Sequence, residues 1–331
     1  MVTAAERDQS VQLSVVVATY GRADLLPRLV RSLEAQVDAP PFDVVVVDDC
    51  SPDETRAVLG RLAGRTTLRL QVLRQPRNRG PAAARNAGWR ATQAPAIVFT
   101  DDDCEPDSHW LHAMALGLRE ADIVQGRTIP APDQASRRGP FSRTLDVPAM
   151  DGFFQTCNVA YQRDWLEGVG GFDEDFRHPM GEDTELAWRA LDKGARAVFR
   201  SDAVVQHDIR PSSVLVQIRD SRRWESVALV VRKHPALRTK LHSKHFWRAS
   251  HPPALLAGVG LGTAALPIDP RLRAAALLLL APYLKHRLRD APLPGAGPKR
   301  RIALLPASLA VDLSEVAVLA AASVRYRRLV L

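Results

Sequence analysis

The sequence predicts an α/β fold built on a mostly parallel central sheet, and three observations carry that expectation. Near-continuous apolar runs, Leu13–Ala18, Val44–Val47 and Ala96–Phe99, are rich in β-branched residues, as strands buried on both faces are. Segments of helical spacing alternate with them; Leu25, Leu26, Leu29, Val30 and Leu33 recur on one face of the first. Carboxylates gather where the runs stop, at Asp48-Asp49 and at Asp101-Asp102-Asp103. In an open parallel sheet, ligands bind beyond the carboxyl ends of the strands.

Taken in order, the first strand turns through Thr19-Tyr20-Gly21-Arg22 into its helix. After the second strand, Ser51-Pro52-Asp53-Glu54 predicts a capping box, with Ser51 the N-cap, Pro52 at the first position and Glu54 reaching back. That helix turns Val58, Leu59 and Leu62 inward. A third strand near Leu68–Leu73 leads through Arg77-Asn78-Arg79-Gly80-Pro81 into a small-residue helix, Ala82–Ala91. The fourth strand ends in the three acids, and a helix follows at Trp110–Leu118. Arg127–Met150 is rich in Pro, Arg, Ser and Ala and predicts a long loop. Order resumes at Phe153–Tyr161, turns at Gly170–Phe176, and enters a helix at Glu182-Asp183 that stops at Gly194. Strands at Ala197–Phe199 and Ala203–Gln206 come next, with His207 just after.

Composition narrows the partners. The 331 residues are 46% hydrophobic and 25% charged, an ordinary globular balance, with a net charge of +8 that points to an anionic partner. The excess is regional. Between Ile209 and Ser250 there are ten Arg and Lys, opposed only by Asp220 and Glu225. Cys50, Cys104 and Cys157 make no Cys-x-x-Cys pair and no disulfide framework, and Met1–Ser10 lacks the apolar core of a signal peptide. A reducing cytoplasm is the expectation. There is no G-x-G-x-x-G after the first strand and no G-x-x-x-x-G-K-[ST], which disfavours a dinucleotide fold and excludes a P-loop. Phosphate would then be held by metal and arginine. Three adjacent acids at a strand end are a usual way to hold Mg²⁺ or Mn²⁺ beside a phosphate. A solvated acidic turn capping the next helix is the alternative.

Six pieces in order carry a resemblance: Val15–Arg22, Val46–Ser51, Asn78-Arg79-Gly80 with Ala84-Arg85-Asn86, Asp101–Asp103, Gly171–Glu174 and Gly181-Glu182-Asp183. Together they resemble the inverting family 2 glycosyltransferases, with the GT-A nucleotide-sugar-binding fold, from about Leu13 to His207. The resemblance implies that Thr19 and Asp49 line the nucleoside pocket, Asp49 accepting a hydrogen bond from the base. It places Arg85 near the diphosphate or ribose. Asp103 becomes the main metal ligand, while Asp101 and Asp102 share the ribose and the second coordination position. His207 sits where some relatives complete the metal site, although a histidine at a strand end is often merely solvated. Asp183 corresponds to the general base, and Glu182 to a neighbour that orients it or contacts acceptor. A divalent cation, Mn²⁺ or Mg²⁺, would take up charge on the departing nucleoside diphosphate as the acceptor hydroxyl attacks.

The expected organisation is a GT-A catalytic domain over 1–208, a basic helical connector over 209–250, and apolar C-terminal helices over 251–331. Pro253–Ile268 and Ala274–Leu284 are each shorter than the roughly 20 residues of a spanning helix; Ile302–Val324 is long enough but holds Asp312 and Glu315. Basic residues flank every run: Arg248 before; Lys285, Arg287 and Arg289 between; Arg325, Arg327 and Arg328 after. Interfacial helices or a hairpin at the cytoplasmic face of the membrane are expected, against a packed soluble tail. Trp224 and Trp247 stand in the basic segment without a nucleic-acid motif, so no nucleic-acid partner is expected. The functional expectation is transfer of a sugar from a nucleotide-sugar donor to a glycan or lipid-linked acceptor in cell-surface glycan or glycolipid synthesis. The alternative is a catalytically silent sugar-nucleotide-binding or scaffold protein on the same fold.

Overall fold

A computed structural model describes residues 12–176, 179–290 and 293–331. The chain forms two compact units. One comprises the chain up to Asp133 with Thr144–Asp208; the other comprises Gln134–Arg143 with Ile209–Leu331.

In the first unit, β1 (Leu13–Thr19), β2 (Phe42–Asp48), β3 (Leu70–Arg74) and β4 (Ala96–Asp101) are parallel. The order is β3-β2-β1-β4, joined by crossover helices α1 (Leu26–Glu34), α2 (Thr55–Ala63) and α3 (Pro81–Arg90). The expected parallel half is therefore present, but beyond β4 the sheet is mixed. The further strands are β5 (Cys104–Pro106), β6 (Ile123–Pro130), β7 (Asn158–Gln162) and β8 (Ala197–His207). β7 lies antiparallel to both β4 and β6, β8 runs parallel to β6, and β5 closes the edge antiparallel to β8. Helices α4 (Trp110–Glu120), α5 (Arg163–Val169) and α6 (Glu182–Asp192) complete the unit.

Alternate side chains of the central strands feed two apolar layers. Val15, Val17, Val44, Val46 and Val98 pack with Leu26, Leu29, Leu59 and Trp110; Val16, Val45, Val47, Ile97 and Phe99 pack with Ala84, Trp89 and Leu186. Each such side chain contributes about 1.5–3 kcal/mol on burial. Burial on both faces is why the strands read as continuous apolar runs rather than alternating ones. The small residues of α3 have a purpose too. A Cβ on Gly88 would lie 2.5 Å from Val16 Cγ1, so only glycine lets the helix approach β1 this closely.

Three local expectations are corrected. The capping box does not form: α2 begins at Thr55 with Glu54 as an N-cap that makes no side-chain cap bond. Ser51 Oγ instead accepts the Gly21 N–H at 3.0 Å, tying the turn after β2 to the turn after β1. The two short strands expected after α6 are one strand, β8, whose pairing with β6 shifts register between Gly126 and Arg127. The long loop is shorter than expected, because β6 runs on to Pro130 and a 3-10 helix occupies Pro132–Arg137.

The second unit contains α7 (Val214–Asp220), α8 (Glu225–Lys233), α9 (His251–Ala264), α10 (Pro270–Leu277), α11 (Ala281–Lys285), α12 (Pro298–Ala303) and α13 (Leu305–Tyr326). α13 packs along α7, α8 and α9, so the basic segment and the apolar helices fold together. Asp312 and Glu315, which interrupt the last apolar run in sequence, are buried and paired. Asp312 accepts from Ser250 Oγ at 3.0 Å and Tyr283 OH at 2.6 Å and meets the Arg287 guanidinium; Glu315 lies 2.9 Å from Arg248 Nε and 3.2 Å from His251 Nε2. Buried acids persist in an apolar helix only with such compensation.

Candidate active site

β1, β2 and β4 end together, and the order β2-β1-β4 puts the reversal of the strand sequence beside β1. Ligand crevices of open α/β sheets form at such a reversal. Thr19 closes β1, Asp48 closes β2 with Asp49 next, and Asp101 closes β4.

The residues fall into three linked groups. In the first, Thr19 Oγ1 donates to Asp102 Oδ2 at 2.7 Å across the ends of β1 and β4. Both residues are buried, and burial together with the Asp103 charge pushes the Asp102 carboxyl up to about 7. Asp49 belongs to the second. Its two oxygens accept the backbone N–H groups of Arg79 at 2.9 Å and Gly80 at 2.8 Å, and burial holds its carboxyl above the ordinary value despite those bonds. Gly80, at φ +88°, opens α3 there with Pro81 in the first turn. Asp49 thus builds the loop at the head of α3.

Arg85 organises the third group. It is buried near the start of α3, with Nη2 2.8 Å from Asp101 Oδ1 and Nη1 2.8 Å from Glu182 Oε1. Both acids hold its guanidinium firmly protonated against the cost of burial. The reading of Arg85 near the phosphates therefore meets a side chain already committed to two carboxylates. The next residue, Asn86, fixes a distant turn: its Nδ2 donates to the Phe172 carbonyl at 2.8 Å and its Oδ1 accepts the Phe172 N–H at 2.9 Å. The Phe172 ring lies under Arg85, 5.9 Å from the guanidinium carbon.

Glu182 and Asp183 open α6 but differ in surroundings. Burial raises the Glu182 carboxyl while Arg85 pulls it back. Asp183 is only partly buried. Its Oδ1 accepts the Thr184 N–H at 2.7 Å, and burial with the neighbouring Glu182 charge pushes its carboxyl up to about 7. A carboxyl poised there can accept a proton at neutral pH.

The β5–β8 pairing brings Asp103 and His207 together. Cys104 is in register with His207, and His207 Nε2 lies 3.7 Å from Asp103 Oδ1. His207 Nδ1 lies 3.0 Å from the Asp208 carbonyl, which can only accept, so Nδ1 donates there and Nε2 is the ring nitrogen turned to Asp103. Asp103, Cys104 and His207 offer ligand atoms all within 4.8 Å of one another. Cys104 was not singled out from sequence, and only the strand pairing reveals it. Its thiol is buried, and burial and Cys157 push it well above its ordinary value. Asp103 and His207 offer the oxygen and the nitrogen donor suited to Mn²⁺ or Mg²⁺. Asp101, 27% exposed, faces Arg85 instead of joining that trio.

The first unit is an α/β domain with the GT-A fold. Residues 14–172, just under half of the chain, match the family described as "Glycosyl transferase family 2". It is 29% identical over 224 residues to "Pre-mycofactocin glycosyltransferase" of Mycobacterium tuberculosis, an alignment covering 63% of this chain and 44% of the relative. It is 38% identical over 231 residues to "Succinoglycan biosynthesis protein ExoO" of Rhizobium meliloti, covering 62% of this chain and 63% of the relative. The chain thus spans less than half of the first relative's length. Among solved structures, it resembles the mannosyltransferase PcManGT from Pyrobaculum calidifontis in complex with GDP-Man and Mn²⁺, with a TM-score of 0.57 and 21% identity over 96% of this chain and 87% of that one. It also resembles S. aureus TarS 1-349 in complex with UDP-GlcNAc, with a TM-score of 0.51 and 19% identity over 96% and 93% of the two chains.

Proposed function

We propose that the protein transfers a sugar from a nucleotide-sugar donor to an acceptor hydroxyl with inversion at the anomeric carbon, in the synthesis of a cell-surface glycan or glycolipid at the cytoplasmic face of the membrane. The observation that carries the reading is the division of labour at the head of α6, where Arg85 engages Glu182 and leaves Asp183 with a carboxyl raised to about 7. Asp183 removes the proton of the acceptor hydroxyl as it attacks. Arg85 keeps Asp101 and Glu182 in place beside it. Asp49 and Thr19 shape the nucleoside end, Asp49 through the Arg79–Gly80 loop and Thr19 through Asp102. Asp103 and His207 would hold a divalent cation, Mn²⁺ or Mg²⁺, which supplies charge neutralisation for the departing nucleoside diphosphate. The free thiols of Cys50, Cys104 and Cys157 favour a reducing compartment. The nucleotide sugars bound by PcManGT and TarS favour that class of donor without choosing its base or sugar.

The test is turnover of a panel of GDP-, UDP- and dTDP-sugars with Mn²⁺ or Mg²⁺, with chelator and with Asp103→Ala. One donor class should turn over only with the cation, and the variant should lose at least about 10²-fold. Full turnover in excess chelator overturns the metal role. Failure to bind or hydrolyse any nucleotide sugar overturns the whole reading.

A further inference from the structure

We propose that the hairpin of α9 and α10 is a docking surface for an anionic lipid bilayer, its exposed apolar side chains entering the headgroup boundary of one leaflet. On and just beyond the hairpin, large apolar side chains point to solvent: Val259 is 58% exposed, Leu266 52%, Leu272 59% and Leu278 74%. Several exposed large apolar side chains on one element favour a binding face.

The two arms touch because Gly260 has no side chain; a Cβ there would lie 2.5 Å from the Ala276 carbonyl oxygen. Three hydrogen bonds help close the turn. Arg273 Nε donates to the Ala264 carbonyl at 2.8 Å, the Asp269 carboxylate accepts the Arg271 N–H at 2.7 Å, and Ile268 N–H bonds the Leu266 carbonyl at 2.9 Å.

Length limits the depth. α9 has 14 residues, about 21 Å at helical rise, against about 30 Å for the hydrocarbon core. The hairpin is too short to cross, and the charged turn from Asp269 to Arg273 keeps it at headgroup level. α13, at 22 residues, is long and apolar enough to span, but Asp312 and Glu315 commit it to the interior of its own unit.

Charge identifies the occupant. Arg271 and Arg273 are exposed in α10 and Lys285 at the end of α11, while Asp269 is spent on capping α10. In a symmetric pairing of two copies those cations would face each other, whereas anionic headgroups complement them. This inference does not depend on the catalytic reading, and its test needs no sugar donor.

The test is flotation of the full chain with vesicles of phosphatidylglycerol and phosphatidylcholine, and with vesicles of phosphatidylcholine alone. The protein should float with the first, losing about fivefold in partitioning for each basic residue removed in Arg271→Gln with Lys285→Gln. Leu272→Ser with Leu278→Ser should lose at least about tenfold while its thermal unfolding stays unchanged. No flotation of the unaltered protein at low salt, or undiminished flotation of the leucine variant, overturns the proposal. So does a concentration-dependent dimer, seen by sedimentation, that the leucine variant abolishes in the absence of any vesicle binding.

Discussion

Glu182 and Asp183 are adjacent carboxylates in one helical turn, and their neighbours give them different work. Glu182 is tied to Arg85 Nη1 at 2.8 Å, whereas Asp183 bonds the Thr184 N–H and remains partly open. A base acts only when deprotonated. With the Asp183 carboxyl raised to about 7, kcat/KM should climb as pH rises through about 7 and level off above it. Asp183→Asn should lose transfer by about 10²–10⁴-fold, abolish that limb, and keep donor binding. Glu182→Gln should show its effect in stability, because breaking a buried ion pair costs about 3 kcal/mol. Urea unfolding and pH–rate profiles of both variants check this. If Glu182→Gln proves the worse catalyst while remaining as stable as the parent, the two roles are reversed.

The element that depends most on a remote partner is α3. Its motif Ala84-Arg85-Asn86 puts Arg85 toward the acids and spends Asn86 on the turn at Gly171-Phe172. Gly171 has φ +77°, and a Cβ on it would sit 2.5 Å from Asn86 Oδ1. Gly171→Ala should therefore cost about 1–3 kcal/mol and raise the KM for donor, as α3 loosens around Arg85. The control is Gly168→Ala, since a Cβ at Gly168 meets nothing within 4 Å and the position is helical. Its stability should match or exceed the parent's. Equal stability of the two variants would show that the Asn86 contact is slack.

Across the molecule, charge in the apolar tail proves to be interior structure. Asp312 faces Arg287, Tyr283 and Ser250. Asp312→Ala leaves the Arg287 guanidinium without its carboxylate and should cost the C-terminal unit about 3–5 kcal/mol. Hydrogen exchange of the α13 amides reads this directly, and unchanged protection would mean the network contributes nothing to the fold. The same burial explains why the surface proposed to face lipid falls to α9 and α10 rather than to the longest apolar helix.

Much of this was legible in the chain alone. Strands buried on both faces need apolar residues at every position, so β1, β2 and β4 announce themselves, and the acids at their ends stand out because no strand needs them. Those are local properties of neighbouring residues. The approach of Asp103 to His207 depends on the pairing of β5 with β8, and the ring tautomer depends on the Asp208 carbonyl. Arg85 reads as a helix residue until Asp101 and Glu182, 16 and 97 positions away, close on it. Ser51 has the spacing of a cap but is drawn to Gly21 across the strand ends. Asp312 and Glu315 look like breaks in an apolar run until Arg287, Arg248 and His251 surround them. In each case the deciding partner is distant in sequence, and only packing the elements together sets the distance and the dielectric that give a side chain its role.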